Sequence, residues 1–249
     1  MLRCFSKLCH REFLIVIVCV VLGALLVRSI RRTERYTDPH YVTLQSLSGH
    51  VANQMARRNE PFQPIVVQNV LTPDEIEDIK NSTEFSVSET VGEESNVEDT
   101  TVRVSENGWY DNPEVIDRLA KAIDPKKTVH HCEKMQVVRY RKGGFFKPHF
   151  DSINNPLQNH NWDFAHGGHR DYTLLIAMTD PSEYEGGYTV FPHLKKKFKL
   201  KKGNGLLFRN IDFDGRNLLF ESQHGGNPVT SGEKMVCNLW SHVSPYKHN

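Results

Sequence analysis

Between Met135 and Trp240 the chain runs through the short segments MQVVRY, DYTLLIAM, YTVF, KFKLK, GLLF, NLLF and MVCNLW, each rich in β-branched or aromatic residues and set off by Gly, Pro, Asn or Asp. Segments of this length between turn formers read as strands, and so many at close spacing predict a β-sandwich or barrel. Two helices are expected before the series. Thr72-Pro73-Asp74-Glu75 is a capping box with proline at the first helical position, predicting a helix from Pro73 to about Lys80. Asn112 caps a second helix that runs to Ile123 with Val115, Ile116, Leu119 and Ile123 along one face. PIVVQNVL, ahead of both, reads as a short strand.

Charge narrows the partners. With 31 Lys and Arg against 30 Asp and Glu, the chain has no basic field for a polyphosphate, so nucleic acid is not expected to bind. Lys195 to Lys202 alternates lysine with Phe198 and Leu200, the pattern of a strand with one wet face, and a dock for acidic partners is the lesser alternative. Ser86 to Thr100 is acidic and reads as a mobile loop. The five cysteines form no CxxC pair, which excludes a zinc ribbon and a disulfide framework. Cys132 and Cys237 are either a disulfide or two buried thiols, and the sequence leaves both open.

The first residues have a different character. After a tail over residues 1–12, Phe13 to Val27 is an unbroken apolar run, read as a transmembrane signal-anchor, with a cleaved signal peptide as the alternative. Arg3, Lys7 and Arg11 precede it, and Arg28, Arg31, Arg32 and Arg35 follow, so charge scarcely decides its orientation. Residues 28–60 are expected to form a stem with a weak helical pattern through Val42, Leu44, Leu47, Val51 and Met55, and the globular domain is expected over 61–249.

Chemistry concentrates in three places. His149 and Asp151 are two apart in PHFD, so on a strand they share a face. His224, in SQHGGNPV, returns far downstream as a third ligand candidate. Two histidines and one carboxylate on one side of a metal leave other positions open, the arrangement of non-haem Fe(II) oxygenases rather than of closed structural zinc. A chelating keto acid would need a fixed cation for its far carboxylate, and Lys234, opening the strand KMVCNLW, is the candidate.

YRKGGFFKPHFD, RDYTLLIAM, EGGYTVFP, KKGNGLLF and SQHGGNPVTSGEKMVCNLW, in that order, resemble the catalytic domain of prolyl 4-hydroxylases, and the likeness runs from about Val66 to Val243. It is nearest the single-domain, membrane-anchored plant and algal type. The resemblance implies a mainly β fold with flanking helices around a double-stranded β-helix, or jelly-roll, core, preceded by one transmembrane helix. It implies Fe(II) held by His149, Asp151 and His224, with 2-oxoglutarate as co-substrate on Lys234, Tyr140 and Thr173, and ascorbate as a further cofactor. Dioxygen and a proline-containing peptide are the implied partners, the peptide on Arg103, Ser105, Glu133, Arg170, Trp240 and His242. The implied reaction is hydroxylation of peptidyl proline with conversion of 2-oxoglutarate to succinate.

Three residues depart from the family pattern. Phe146 stands at a groove tyrosine, Ala177 at a frequent co-substrate tyrosine and Tyr188 at a usual glutamate. They bear on the peptide preferred and on co-substrate affinity. Ser152 to His169, with Trp162, is expected to be a lid. The sequon Asn81-Ser82-Thr83, taken with the resemblance, places the domain in the lumen of the endoplasmic reticulum. Two alternatives stay open: the same chemistry on lysine, another side chain or a small molecule, and a membrane-tethered peptide-binding module without catalysis.

Overall fold

The computed structural model describes residues 41–58, 60–88, 102–152, 167–215 and 217–246. Strands β1 (Tyr41–Thr43), β2 (Ile65–Gln68), β3 (Ser86–Val87), β4 (Arg103–Val104) and β5 (Glu106–Tyr110) alternate with helices Leu47–Ala56 and Pro73–Ser82. Helix Pro113–Ile123 follows, then β6 (Met135–Tyr140), β7 (Phe145–His149) and β8 (Arg170–Ala177). The chain continues through β9 (Tyr184–Gly186), β10 (Thr189–Phe191), β11 (Lys196–Phe198) and β12 (Gly205–Arg209) to β13 (His224–Gly226), β14 (Val229–Gly232) and β15 (Lys234–His242).

The strands form a major sheet in the order β1-β2-β12-β8-β15-β6-β5-β3, a minor sheet in the order β11-β10-β13-β7-β4, and a β14-β9 ribbon. This is the mainly β, jelly-roll type of arrangement expected. The major sheet is covered on both faces. Leu174, Ile176, Met235, Cys237 and Leu239 join a core with Ile76, Ile79, Ile116 and Leu119 of the two capped helices. Their strand neighbours Leu175 and Val236 instead join Phe191 and Phe208 in a second core. Period-two alternation therefore feeds two cores from one strand, and such strands read as near-continuous apolar runs.

Both helix caps form as the sequence predicts. Glu75 N–H donates to Thr72 Oγ1 at 3.2 Å and Thr72 N–H to Glu75 Oε2 at 2.8 Å. Asn112 Oδ1 accepts from Glu114 and Val115 N–H at 3.2 and 3.3 Å.

Three expectations change. Residues from Tyr41 on, expected as part of a stem up to residue 60, belong to the same compact unit as the rest of the described residues. β1 pairs in parallel with β2, and Val42, Leu47 and Val51 enter the first core, because the weak apolar stripe of the expected stem has a hydrophobic surface to lie on. NLLF is not a strand: Leu218 makes a single bridge to Ile211, and Phe220 opens a 3-10 turn with its ring 62% exposed. Ser86 and Val87 pair with β5 and Ser88 is buried, so the acidic stretch starts as packed structure. Its remainder, residues 89–101, lies outside the described residues, as do the expected span Phe13 to Val27 and most of the expected lid.

Among the described residues no helix is long and apolar enough to cross a membrane. Cys132 and Cys237 are free buried thiols, and burial pushes Cys132 up to about 12 and Cys237 upward too, which keeps both as unreactive thiols.

Leu47 is fully buried. Leu47→Ala is expected to cost about 2–5 kcal/mol in denaturant unfolding, whereas a detachable stem would leave the midpoint unchanged.

Candidate active site

β7 and β13 are antiparallel neighbours in the minor sheet, with His149 and His224 as direct register partners. A long excursion through β8 to β12 thus returns the second histidine to the first, and their rings lie 4.5 Å apart. Asp151 arrives differently. β7 ends at His149, so the carboxylate is placed by a bend beyond the strand rather than by strand alternation, which corrects the reason for the pairing but not the pairing itself.

Hydrogen bonds aim all three groups. His149 Nδ1 lies 2.8 Å from the Lys147 carbonyl and His224 Nδ1 3.0 Å from the Ser222 carbonyl. A carbonyl only accepts, so each Nδ1 carries the proton and each Nε2 is left as a lone-pair donor. Those Nε2 atoms face the two carboxylate oxygens of Asp151, each at 3.6 Å. Thr173 Oγ1 donates to Asp151 Oδ2 at 2.7 Å, and Asn210 Nδ2 donates to Thr173 Oγ1 at 2.9 Å. Arg170 Nη1 holds the Asp151 backbone carbonyl at 3.2 Å.

Electrostatics favours the ligand forms. Burial pulls His224 down to about 4, so its imidazole is neutral near pH 7. Burial works against the Asp151 charge, yet attraction to the facing imidazoles in their protonated forms, and to Arg170, outweighs it and holds the carboxyl well below its ordinary range. The three ligand atoms lie within 4.8 Å of one another. Two imidazoles and one carboxylate on one side suit ferrous iron with open positions.

Aromatic packing fixes the imidazoles from outside. Phe146 stacks on His149 at 3.6 Å between centroids and 17° between planes, and the Arg103 guanidinium lies 4.7 Å from the Phe146 ring centre. Phe208 and Phe191 pack on His224 at 4.6 and 5.6 Å. The phenylalanine at the family's tyrosine position is therefore a ring packed on a ligand.

The centre opens into a pocket of about 330 Å³ lined in part by Trp109, Val138, Tyr140, Phe146, Phe150 and Lys234. Lys234 is buried, with Nζ 3.4 Å from Thr189 Oγ1 and 5.7 Å from the Tyr140 ring centre. Burial, and secondarily the nearby Lys199, lower its ammonium to about 8.

The remaining expected residues divide between wall and support. Arg103, Arg170 and Trp240 line the pocket. Arg170 lies 3.8 Å over the Trp240 ring and is gripped by Glu133, with Nη2 to Oε2 at 2.8 Å. His242 bonds Glu133 Oε1 at 2.9 Å and the Gly168 carbonyl at 2.8 Å. Ser105 accepts from Arg103 Nε at 2.6 Å and continues to Ser88. Glu133, His242, Ser105 and Thr173 are thus supports behind the pocket wall. The Thr173 hydroxyl is turned to Asp151, beside the centre where the co-substrate is expected. Ala177 is buried and Tyr188 lies under Lys197, both apart from the pocket lining.

Sequence reasoning missed Trp109, Gln136, Asn210, Thr189 and Asn238. Two of the four pocket-facing ones share strand alternation with residues that were identified: Gln136 with Tyr140 on β6, and Asn238 with Lys234 on β15.

Residues 135–242 match the model of the 2OG-Fe(II) oxygenase superfamily. The chain is 28% identical over 211 residues to a protein of Acanthamoeba polyphaga mimivirus provisionally named prolyl 4-hydroxylase, covering 81% of this chain and 85% of that one. It is 32% identical over 190 residues to the prolyl 4-hydroxylase subunit alpha-2 of Caenorhabditis elegans, covering 73% of this chain but only 34% of that longer subunit. Among solved structures, the viral collagen prolyl hydroxylase of Paramecium bursaria Chlorella virus-1, determined as a 2OG complex, aligns with a TM-score of 0.53 and 28% identity over 73% of this chain and 95% of that one.

Gly225, beside His224, shows how closely the ligand strands approach. A Cβ there would lie 2.9 Å from the Phe146 carbonyl oxygen and 3.0 Å from Pro148 N. Gly225→Ala is expected to push β13 from β7 and weaken binding of a divalent metal by on the order of tenfold or more in anaerobic titration; wild-type affinity would contradict this reading of the strand contact.

Proposed function

We propose that the chain carries a catalytic domain of the prolyl 4-hydroxylase family of 2OG-Fe(II) oxygenases and hydroxylates proline in peptides, with 2-oxoglutarate as co-substrate and Fe(II) on His149, Asp151 and His224; the matches to that family support this. The observation that carries the proposal is the convergence of both Nε2 atoms and the Asp151 carboxylate at the floor of a pocket that also contains a buried ammonium. Ascorbate fits the same assignment as the family's usual reductant.

Iron with 2-oxoglutarate and dioxygen supplies the oxidising chemistry that converts the proline C–H bond to C–OH while the keto acid becomes succinate and carbon dioxide. This chain supplies placement. The Lys147 and Ser222 carbonyls fix the imidazole tautomers, and Thr173 with Asn210 fixes the carboxylate rotamer. The Lys234 ammonium suits the far carboxylate of the co-substrate, with Tyr140 and Thr189 beside it. Phe146, Phe150, Val138, Val236 and Leu175 give the pocket apolar walls that exclude water. Trp109, Trp240 and Arg170 at its wall suit an extended, proline-containing segment, whose form has no internal hydrogen bonds to break.

We further propose that Phe13 to Val27 anchors the protein in the membrane of the endoplasmic reticulum with the domain in the lumen. The apolar run and the sequon at Asn81, exposed in helix Pro73–Ser82, support this. A mass decrease on glycosidase treatment is the expected result, and full protease access in sealed cytosol-side-out vesicles would contradict it.

Incubation with Fe(II), ascorbate, 2-oxoglutarate and proline-containing peptides is expected to yield hydroxyproline and succinate in equal amounts. The Lys234 ammonium is lost as pH rises through about 8, so the KM for 2-oxoglutarate is expected to climb above that pH. Lys234→Ala should raise the same KM and remove its pH dependence. A KM flat from pH 7 to 9 in the wild type would set Lys234 aside as the carboxylate partner.

A further inference from the structure

Side chains two apart on a strand share a face, and Lys234, Val236, Asn238 and Trp240 of β15 all line the pocket. Lys234 and Trp240 already have assignments at the two ends of this row. Asn238 stands between them. Its register partner on β6 is Gln136, whose partner on β5 is Trp109. Both of these line the pocket, and the rings of Trp109 and Trp240 lie 6.4 Å apart. A carboxamide pair between two indoles therefore crosses the pocket wall from strand to strand. Neither the metal ligands nor the ammonium accounts for it.

Two polar atoms in this cluster lack hydrogen-bond partners among the described residues: Asn238 Oδ1 and Trp240 Nε1, both occluded from bulk solvent. Trp240 is only 5% exposed, and Arg170 covers one face of its indole. A buried polar atom left unbonded is costly, and folded proteins keep few of them. Here an orphaned acceptor and an orphaned donor belong to residues two apart, roughly 7 Å along one strand face. Asn238 is half-buried, and rotation about its last side-chain bond is soft, so its oxygen can turn to a ligand.

Extended peptide in the polyproline II form carries main-chain groups with no internal partners. An unpaired acceptor in the wall calls for an N–H, which every residue except proline has. An unpaired indole N–H calls for a carbonyl, which every residue has.

Resting on the proposed prolyl hydroxylation, we infer that Asn238 and Trp240, flanked by Gln136 and Trp109, form a main-chain-reading subsite. Asn238 Oδ1 accepts from the backbone N–H of a non-prolyl residue near the target proline, and Trp240 Nε1–H donates to a substrate carbonyl. The substrate class follows: peptides in which the target proline has a non-prolyl neighbour, with uninterrupted polyproline a poor substrate. Asn238 is thereby a specificity-determining residue.

The test uses the full chain, a peptide with one proline among alanines, and a set in which each alanine in turn is N-methylated, so that one N–H at a time is removed. Wild-type enzyme is expected to lose about tenfold in kcat/KM at one N-methyl position, mainly through peptide KM. Asn238→Leu is expected to lose about tenfold on the parent peptide and nothing further at that position, while Asn238→Asp, which keeps the acceptor, retains the N-methyl penalty. A wild-type enzyme indifferent to every N-methyl group overturns the subsite without recourse to any variant. So does an Asn238→Leu enzyme within twofold of wild type on the parent peptide, or one that keeps the N-methyl penalty. Absence of hydroxyproline from the wild type on every peptide would overturn the proposed function, and this inference with it; hydroxylation with any of the other contrary results overturns the inference alone.

Discussion

A carboxylate buried between two imidazoles is the constraint around which this domain is arranged. Buried charge is costly unless paired and hydrogen-bonded; the Thr173 hydroxyl at 2.7 Å supplies the hydrogen bond, and a cation held between the Asp151 oxygens and the two Nε2 lone pairs facing them at 3.6 Å would supply the pairing. Meeting that requirement needs both sheets. The imidazoles come from neighbouring strands of the minor sheet, while Thr173, on β8, comes from the major sheet opposite. The tautomers are set by backbone carbonyls two residues before each histidine, so the ligand atoms are aimed by the local chain itself.

A second layer of charge frames the pocket. Glu133, on the stretch leading into β6, joins His242 at the end of β15 to Arg170 at the start of β8, and Arg170 in turn covers Trp240 and holds the Asp151 backbone. The neighbouring pair Lys127–Asp171, at 2.8 Å and almost fully buried, ties the same strand ends to the loop after helix Pro113–Ile123. Removing one member of such a cluster leaves another charge buried and unpaired, which links the wall of the pocket to the stability of the strand ends.

Much of this was legible in the sequence for identifiable reasons. The capping residues Thr72, Glu75 and Asn112 act through local hydrogen bonds, so their helices are readable from a few residues. The triad was readable because three ligand types occur in a strand-rich context with a downstream lysine. What escaped depends on tertiary contact. The stripe through Val42, Leu47 and Val51 looks like a stem until a core is present to receive it. The segment ending at Phe220 looks like a strand, but among the described residues its one pairing is the Leu218–Ile211 bridge. The bond from the Thr173 hydroxyl to Asp151 was not legible, since alternation gives the face but not the rotamer. Gln136 and Asn238 carry no motif, and their meeting across β6 and β15 is visible only once the register is known.

The central claim is that His149, Asp151 and His224 hold one ferrous ion. Anaerobic equilibrium dialysis against Fe(II) tests it most directly, comparing the wild type with a doubly substituted His149→Ala, His224→Ala chain whose fold is verified by circular dichroism. One ion per wild-type chain and none on the folded double variant is the expected result. Equal iron binding by both chains would contradict the account.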